Sequence, residues 1–536
     1  MTSITPKSAE GLFLRLDRRA SSKLARNILE MGGLESGTFT VSSINRKGLF
    51  YVTPTKRLSL GRAWQIARDL NAHEQVYYAE VDVVVPGIEG PELAGRSGRR
   101  YSSGGVTHKA GTKSPEWSLI NANIKEAWKL KPKGEGYGAH IRVGHPDTGY
   151  RLHPEIHDAD RLLSELGYDF EDKKPDPKDP LKRPNYGHGT ATASVIMSSI
   201  GSPDGNATYV SGAAPKAELV PFRVSSSVVH FKFGNVVKSI YESIDQKCHV
   251  ISMSLGGPFG SKALSEAIKD AQDAGLVLLS AAGNKYKKVV YPAKIDTVVA
   301  VAASNCDDKP WKDTARGKEV DISGPGESVW RAFTDRKGNY DVERSSGTSY
   351  AVATLAGVCA LWLSHHGRAN LIKKYRKENL NAVFQKIIRT EGFRELPGWD
   401  TAKFGPGIVD AKKILKAALP KLAPVRRFAR EFPAAVSLNT VEELASYFPE
   451  VTVGRVTEVL QKTLGVSSDE FFDTLIEYGD ELRFHCATNE EFRHSLISLA
   501  SSRRKTIRGF RGTRVTKNAQ LKSQASKKLL TRMNAG

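Results

Sequence analysis

Between about residues 117 and 418 the sequence alternates short, unbroken apolar runs with stretches of helical period, and this constrains the fold more than any other feature. The runs fall at 140–144, 219–224, 249–254, 276–281 and 297–302. They lack the period-two polarity of a strand with one wet face, so both faces must be covered. That is the signature of parallel strands. Helical stretches at 233–247 and 262–274 lie between them. The class is therefore α/β, a mostly parallel sheet flanked by helices, and ligands bind such a sheet beyond the carboxyl ends of its strands.

Four polar residues interrupt the pattern at those ends. Asp147 follows the first run in Pro146-Asp147-Thr148-Gly149, and His188 in Gly187-His188-Gly189-Thr190 precedes a small-residue helix at 191–200. Asn284 closes Ala281-Ala282-Gly283-Asn284. Ser349 lies in SSGTSYAVATLAG (345–357), ahead of a small, apolar run at 350–363 that reads as a buried helix. A serine at a helix N-terminus sits beside unpaired backbone N–H groups and the positive end of the dipole. That environment suits a nucleophile that must attack a carbonyl and hold the resulting oxyanion. Taken singly, each residue has a plainer role: Gly-x-Ser before a helix is commonly a cap, and a loop Asp, His or Asn commonly a surface or turn residue. His145 and His153, flanking Asp147, are read in that plainer way. Taken together, the four supply nucleophile, base, orienter and oxyanion donor.

The motifs DTG, GHGTATASVI, ISMSLGGP, SAAGN, YPA and SSGTSYAVATLAG resemble those of the subtilisin-like serine proteases, in that family's order, over about residues 117–418. The resemblance implies a subtilisin-like fold and a serine endopeptidase working through an acyl-enzyme. Ser349 would be the nucleophile, His188 the base, Asp147 its orienter and Asn284 the oxyanion-hole donor. It also implies that Ser254, Leu255, Gly256 and Gly257 form an edge pairing with extended substrate. Ala281, Ala282 and Gly283 would form the facing wall of the primary pocket, floored near Val290-Tyr291-Pro292. Val290 stands where the family often has glycine, which predicts a shallower pocket. Lys285, Lys287 and Lys288 lie nearby without the carboxylates of basic-specific relatives. Apolar or acidic residues are expected before the scissile bond, rather than Arg or Lys. The chemistry needs no cofactor, but structural calcium is common in the family, and Glu155 and Asn206 fall near its ligand positions. The departures are Ala353 in place of a proline, Tyr350 beside the nucleophile and Pro146 before Asp147. Two other readings stay open: a silent binding module on the same fold, and peptide ligation or cyclisation at the same site.

A chain of 536 residues is too long for one core. Residues 11–85 read β-α-β-β-α-β, with Ala63, Ile66, Ala67 and Leu70 on one face of the second helix. The resemblance makes residues 1–85 a prodomain-like module that inhibits its own protease. Residues 86–116 form a Gly/Ser/Arg-rich linker to be cut by the enzyme itself, or by another protease at Arg96-Ser97-Gly98-Arg99-Arg100. An amphipathic helix at 117–130 opens the peptidase domain, 117–418. Helices at 441–448, 456–464, 468–478 and 489–501 suggest a small helical domain over 419–502, with no recognised family. Residues 503–536 carry eleven of the Lys and Arg residues and no Asp or Glu, within a net charge of +21. This stretch is expected to be a solvated tail, able to meet an acidic partner or nucleic acid non-specifically. No apolar run approaches the ~20 residues of a membrane span. MTSITPKSAEGLFLRLDRR shows no continuous apolar stretch, and the four cysteines have no C-x-x-C spacing and read as free thiols. On these grounds a cytoplasmic location is expected, with unconventional export open.

Overall fold

Alternation at the start of the chain becomes a sheet with helices on it: β1 (Ser8–Leu16), α1 (Ser22–Met31), β2 (Phe39–Ser43), β3 (Leu49–Pro54), the short β4 (Leu58–Ser59), α2 (Leu60–Asn71) and β5 (Val76–Val84). The structure is a computed structural model. It describes residues 8–17, 20–84, 110–156, 160–182, 184–201, 209–229, 233–285, 287–421, 440–441, 443–448, 451–501 and 519–535. In this first sheet β1 is central, antiparallel to β3, β4 and β5, and β2 lies outside β3. Ser21 and Ser59 cap the two helices, accepting from the amides of Leu24 and Arg62. Ala63, Ile66, Ala67 and Leu70 are buried as their period demands, but so are Trp64 and Arg68, which lie off that stripe.

The expected helix at 117–130 is two helices, α3 (Trp117–Asn121) and α4 (Ile124–Trp128). The break falls at Asn123, whose backbone is left-handed (φ 53°) and whose side-chain Nδ2 donates to Asp410 Oδ2 at 2.7 Å. The chain continues through β6 (Arg142–Asp147), β7 (Tyr168–Asp169), α5 (His188–Met197), β8 (Glu218–Arg223), α6 (Gly234–Asp245), β9 (Val250–Met253), α7 (Lys262–Asp273), β10 (Val277–Ala281), β11 (Val299–Ser304) and β12 (Ile322–Pro325). A hairpin of β13 (Val329–Thr334) and β14 (Tyr340–Ser345) leads into α8 (Thr348–His366). Then come α9 (Arg368–Tyr375), α10 (Leu380–Thr390), β15 (Phe393–Arg394), α11 (Thr401–Phe404), β16 (Ile408–Val409) and α12 (Ala411–Lys416).

The main sheet runs β15-β16-β12-β11-β10-β9-β6-β8-β7, parallel except for the β15–β16 pair. β6 has β8 on one side and β9 on the other, so the winding direction reverses across it. Such a switch point opens a crevice at the carboxyl ends of the strands, and Asp147 is the last residue of β6. α8 is buried on every side, which explains why its sequence is apolar without a period. The hairpin, β12, β15 and β16 escape the sequence reading. β15 and β16 are two-residue strands, and the second hairpin strand, YDVERS, carries charges on an exposed face.

C-terminal to these lie α13 (Val453–Leu464), α14 (Ser468–Thr488), α15 (Glu490–Ser501), α16 (Ala519–Gln524) and α17 (Lys527–Ala535). α14 starts on a capping box of Ser467 and Glu470 and runs ten residues beyond the expected 478. The solvated tail expected from 503 does not hold over 519–535. Leu521, Ala525, Leu529 and Met533 recur every fourth residue and bury in one core with Leu460, Phe471 and Phe492. Their helical spacing outweighs the surrounding lysines; residues 503–518 lie outside the described ones. Contacts divide the chain into two compact units, one of 1–88 with 424–536 and one of 89–423. All four cysteines are free thiols, and among the described residues no helix is long and apolar enough to cross a membrane.

Candidate active site

Asp147 ends β6, and His188 is the first residue of α5. Their backbones come together because two glycines permit it. A Cβ on Gly189 would lie 2.0 Å from the Gly149 carbonyl oxygen, and Gly149 itself has φ 94°. The side chains then meet at 2.7 Å, His188 Nδ1 to Asp147 Oδ1, both fully buried. The carboxylate holds the ring proton on Nδ1, so Nε2 is the basic nitrogen.

A second carboxylate fixes this pair. Asp179 Oδ2 accepts from the Thr148 hydroxyl and the Gly187 amide, both at 2.8 Å, and Thr148 Oγ1 accepts from the Gly189 amide at 3.1 Å. Asp179 thus ties the residue after Asp147 to the residue before His188. Sequence reasoning missed it: it sits in the charged, aperiodic stretch 171–183, where nothing sets one Asp apart. Burial pushes its carboxyl up.

The second oxygen of Asp147 faces another polar pair. Thr192 Oγ1 lies 3.3 Å from Asp147 Oδ2 and 3.0 Å from His145 Nε2. His145, read from sequence as a bystander, is therefore part of the surroundings of Asp147, 3.9 Å from its carboxylate. Burial lowers the pKa of His145 against the pull of Asp147. Burial alone would raise Asp147, but the charge and hydrogen bond of His188 and the Thr148 amide carry it below the usual carboxylate range. His153 keeps its plain role, bonding the Glu155 amide and the Asp341 carbonyl.

Ser349 is the second residue of α8, 1% exposed, and its Oγ lies 3.4 Å from the Ser254 carbonyl. The next side chain, Tyr350, sets its ring 6.5 Å from that of His188, so the N-terminal turns of α8 and α5 are neighbours. Ala353 leaves α8 unbroken through residue 366. Asn284 follows β10, and its Oδ1 accepts from both the amide (2.9 Å) and the hydroxyl (2.8 Å) of Thr348. That pins the carboxamide with its NH₂ end as the remaining donor. Thr348 Oγ1 also accepts from the Gly283 amide at 3.3 Å. It locks the Asn284 loop to the start of α8, a role the sequence did not signal.

The segment Ser254–Gly257 is not the open edge expected. The Gly256 amide donates to Val228 O at 2.9 Å, and Gly257 exchanges two backbone bonds with Tyr291, at 2.9 and 2.8 Å. Val290 bonds the Ala282 carbonyl and lies between the two expected pocket walls: a Cβ on Gly256 would meet its Cγ2 at 2.6 Å, and one on Gly283 its Cγ1 at 3.2 Å. The Lys288 ammonium is half-buried, which lowers its pKa with help from Lys294. The calcium expectation finds no support at Glu155. Its carboxylate accepts from the Ser198 hydroxyl at 2.6 Å and the Val210 amide at 3.2 Å, so it is already committed to protein donors. Asn206 lies outside the described residues, and among the described ones no His, Cys, Asp and Glu cluster is placed to hold a metal.

Residues 138–399 match the Subtilase family, and the Thermostable alkaline protease of Halalkalibacterium halodurans is 33% identical over 55% of this chain and 72% of its own length. The chain belongs to the subtilase family. This subtilase is also 32% identical to Thermitase of Thermoactinomyces vulgaris, over 46% of this chain and 80% of that enzyme. Its fold is shared with fervidolysin from Fervidobacterium pennivorans, a keratinolytic enzyme related to subtilisin (TM-score 0.56, 17% identity, 78% of this chain and 62% of that one). The protein is thus a subtilisin-like serine protease acting on protein or peptide substrates. The kinship overturns the cytoplasmic expectation. The relatives include the Minor extracellular protease Epr of Bacillus subtilis, 26% identical over 62% of this chain and 47% of its own length. Unpaired cysteines and a polar first stretch do not stand against that.

Proposed function

We propose that this subtilase cleaves peptide bonds through an acyl-enzyme on Ser349. His188 Nε2 takes the Ser349 proton as Oγ attacks the scissile carbonyl, and Asp147 stabilises the imidazolium that forms. The oxyanion is held by the Asn284 carboxamide N–H and the backbone N–H of Ser349 at the start of α8. His188 then gives its proton to the leaving amine, and water, deprotonated by the same ring, releases the acyl group. The observation carrying this reading is the 2.7 Å bond between His188 Nδ1 and Asp147 Oδ1, set beside an Asn284 anchored on the turn that holds Ser349. A fluorophosphonate probe tests it: labelling of the wild type that is lost in Ser349→Ala supports it, and unchanged labelling refutes it. Analysis of products from a peptide pool separates hydrolysis from ligation.

Val290 between Gly256 and Gly283 supports a shallow primary pocket and cleavage after apolar or acidic residues, the small apolar ones favoured. An extended substrate gains the Gly256 amide only by displacing Val228. A peptide library showing strong Arg or Lys preference would overturn this specificity. The β-α-β-β-α-β module is proposed as the enzyme's own inhibitor, with self-cleavage within 86–116; residues 86–109 lie outside the described ones. Processing that persists in Ser349→Ala, read by mass spectrometry, would assign the cut to another protease.

A further inference from the structure

Helix α2 of the N-terminal module has two buried sides. One covers its own sheet. The other, carrying Gly61, Trp64 and Arg68, meets helices more than four hundred residues away in sequence. Arg68, 6% exposed, donates to Glu481 Oε2 of α14 at 3.1 Å and to the hydroxyl of Ser526. Glu481, 2% exposed, also accepts from the Ser526 amide at 2.6 Å and the Ser526 hydroxyl at 3.0 Å. The Arg68 guanidinium lies over the Tyr478 ring at 4.6 Å, and Trp64 stacks obliquely on Phe484 at 5.9 Å. At the rim, Lys528 donates to Asp69 at 2.9 Å. A Cβ on Gly61 would lie 2.6 Å from the Ala525 carbonyl, so α2 and the turn between α16 and α17 touch backbone to backbone.

A buried, hydrogen-bonded ion pair flanked by aromatic contacts resembles the anchored centre of a protein interface, with a polar rim around it. Every cysteine is a free thiol, so the covalent tie between this module and the peptidase unit is the chain through residues 86–116. We infer that the C-terminal helices are a tether for the N-terminal module: a cut in the 86–116 linker leaves it bound non-covalently through Arg68, Trp64 and Asp69. Because those helices stay joined to the peptidase unit by the chain, the cleaved module is held in one molecule at an effective concentration of order millimolar. Cleavage of the linker therefore does not liberate the module; a second event, at α2 or at the C-terminal helices, does. The consequence for activity rests on the inhibitor reading proposed above, while retention itself does not.

The test uses the full chain with Ser349→Ala and a recognition sequence for a site-specific protease inserted within 86–109. After complete cutting and dilution to nanomolar concentration, the N-terminal fragment is expected to co-elute with the remainder in size-exclusion chromatography. Elution as a separate species overturns the tether. Glu481→Lys should release the fragment, and a fragment still held in that variant is held elsewhere, which also overturns it. Since Glu481→Lys can unfold the C-terminal helices, the exposed rim supplies a second reading. Lys528→Glu should weaken retention by about fivefold, the scale of an exposed ion pair turned repulsive, and Asp69→Lys should restore it. Absence of that reciprocity counts against the tether. In the same cut chain carrying Ser349, release by Lys528→Glu should raise turnover. Release without any change in turnover refutes the inhibitor reading and leaves the tether standing.

Discussion

Two buried hydrogen-bonded pairs, Asp147–His188 in the peptidase unit and Arg68–Glu481 in the other, are built in opposite ways. The first joins residues 41 apart, each at the end of an element beside a glycine turn, and is held by backbone amides and short hydroxyl side chains. The second joins residues 413 apart, on the packed faces of two helices, and is held by a serine from the turn between two others. Placing charge at strand and helix ends leaves it next to a crevice, where it can act on a substrate. Placing it on helix faces packed against each other leaves it only the partners it was given. The first arrangement suits chemistry and the second suits assembly.

The contrast breaks most visibly if either pair is interrupted. Asp147→Asn should lower kcat on the order of ten-thousandfold, because the amide no longer holds the His188 tautomer, with little change in thermal unfolding; steady-state kinetics and calorimetry check this. Glu481→Ala should do the reverse. It leaves the buried Arg68 charge with only the half-exposed Glu477, 3.9 Å from its Nε, as a charge partner, a loss of up to about 3 kcal/mol in the stability of the unit of 1–88 and 424–536. Intrinsic kcat measured on a small peptide ester should be spared. Asn284→Leu should lower kcat by about a hundred- to a thousandfold with KM nearly unchanged, since the donor acts on charge that exists only in the transition state.

A pH titration sharpens the same comparison. The Asp147 and Glu481 carboxyls both lie below their ordinary values in the folded protein. For Glu481, burial opposes this, and His485, the Ser526 amide and Arg68 overcome it. A depressed carboxylate contributes stability above its unfolded pKa and loses it as pH falls through the folded one. In the peptidase unit the raised Asp179 offsets part of the Asp147 contribution, whereas the unit of 1–88 and 424–536 should therefore weaken below about pH 4, as followed by circular dichroism. Equal stability at pH 3 and pH 6 would contradict the assignment. The smallest effect is expected at Thr192→Val: a few-fold fall in kcat and a shifted acid limb of the kcat/KM profile, with Thr192→Ser restoring both. A merely packing role for Thr192 would leave the pH profile where it was.

Several features of the site were legible because they reside in the chain's local grammar. Each of Asp147, His188, Asn284 and Ser349 lies at one end of an element whose apolar or small-residue run is visible, and glycine marks the turns. Asp179, Thr192 and Thr348 were not legible. They are ordinary polar residues whose importance lies in what two other segments bring to them. His145 was misjudged for the same reason, since nothing near it in sequence predicts Thr192 47 positions on. The paired state of Gly256 depends on where the 225–229 loop comes to rest, and loop paths carry no period.

By itself, the sequence determined the α/β class, the parallel strands and the order Asp147, His188, Ser349, because burial on two faces and glycine-marked turns are written residue by residue. Only the tertiary structure decided that Arg68 is a buried, paired residue rather than a surface charge, that the last lysine-rich stretch is packed helix, and that the first and last segments form one unit. Those outcomes depend on which distant apolar and charged faces find each other. A period can mark a face as apolar, as the one through Leu521, Ala525, Leu529 and Met533 does, but it does not say which distant face will meet it.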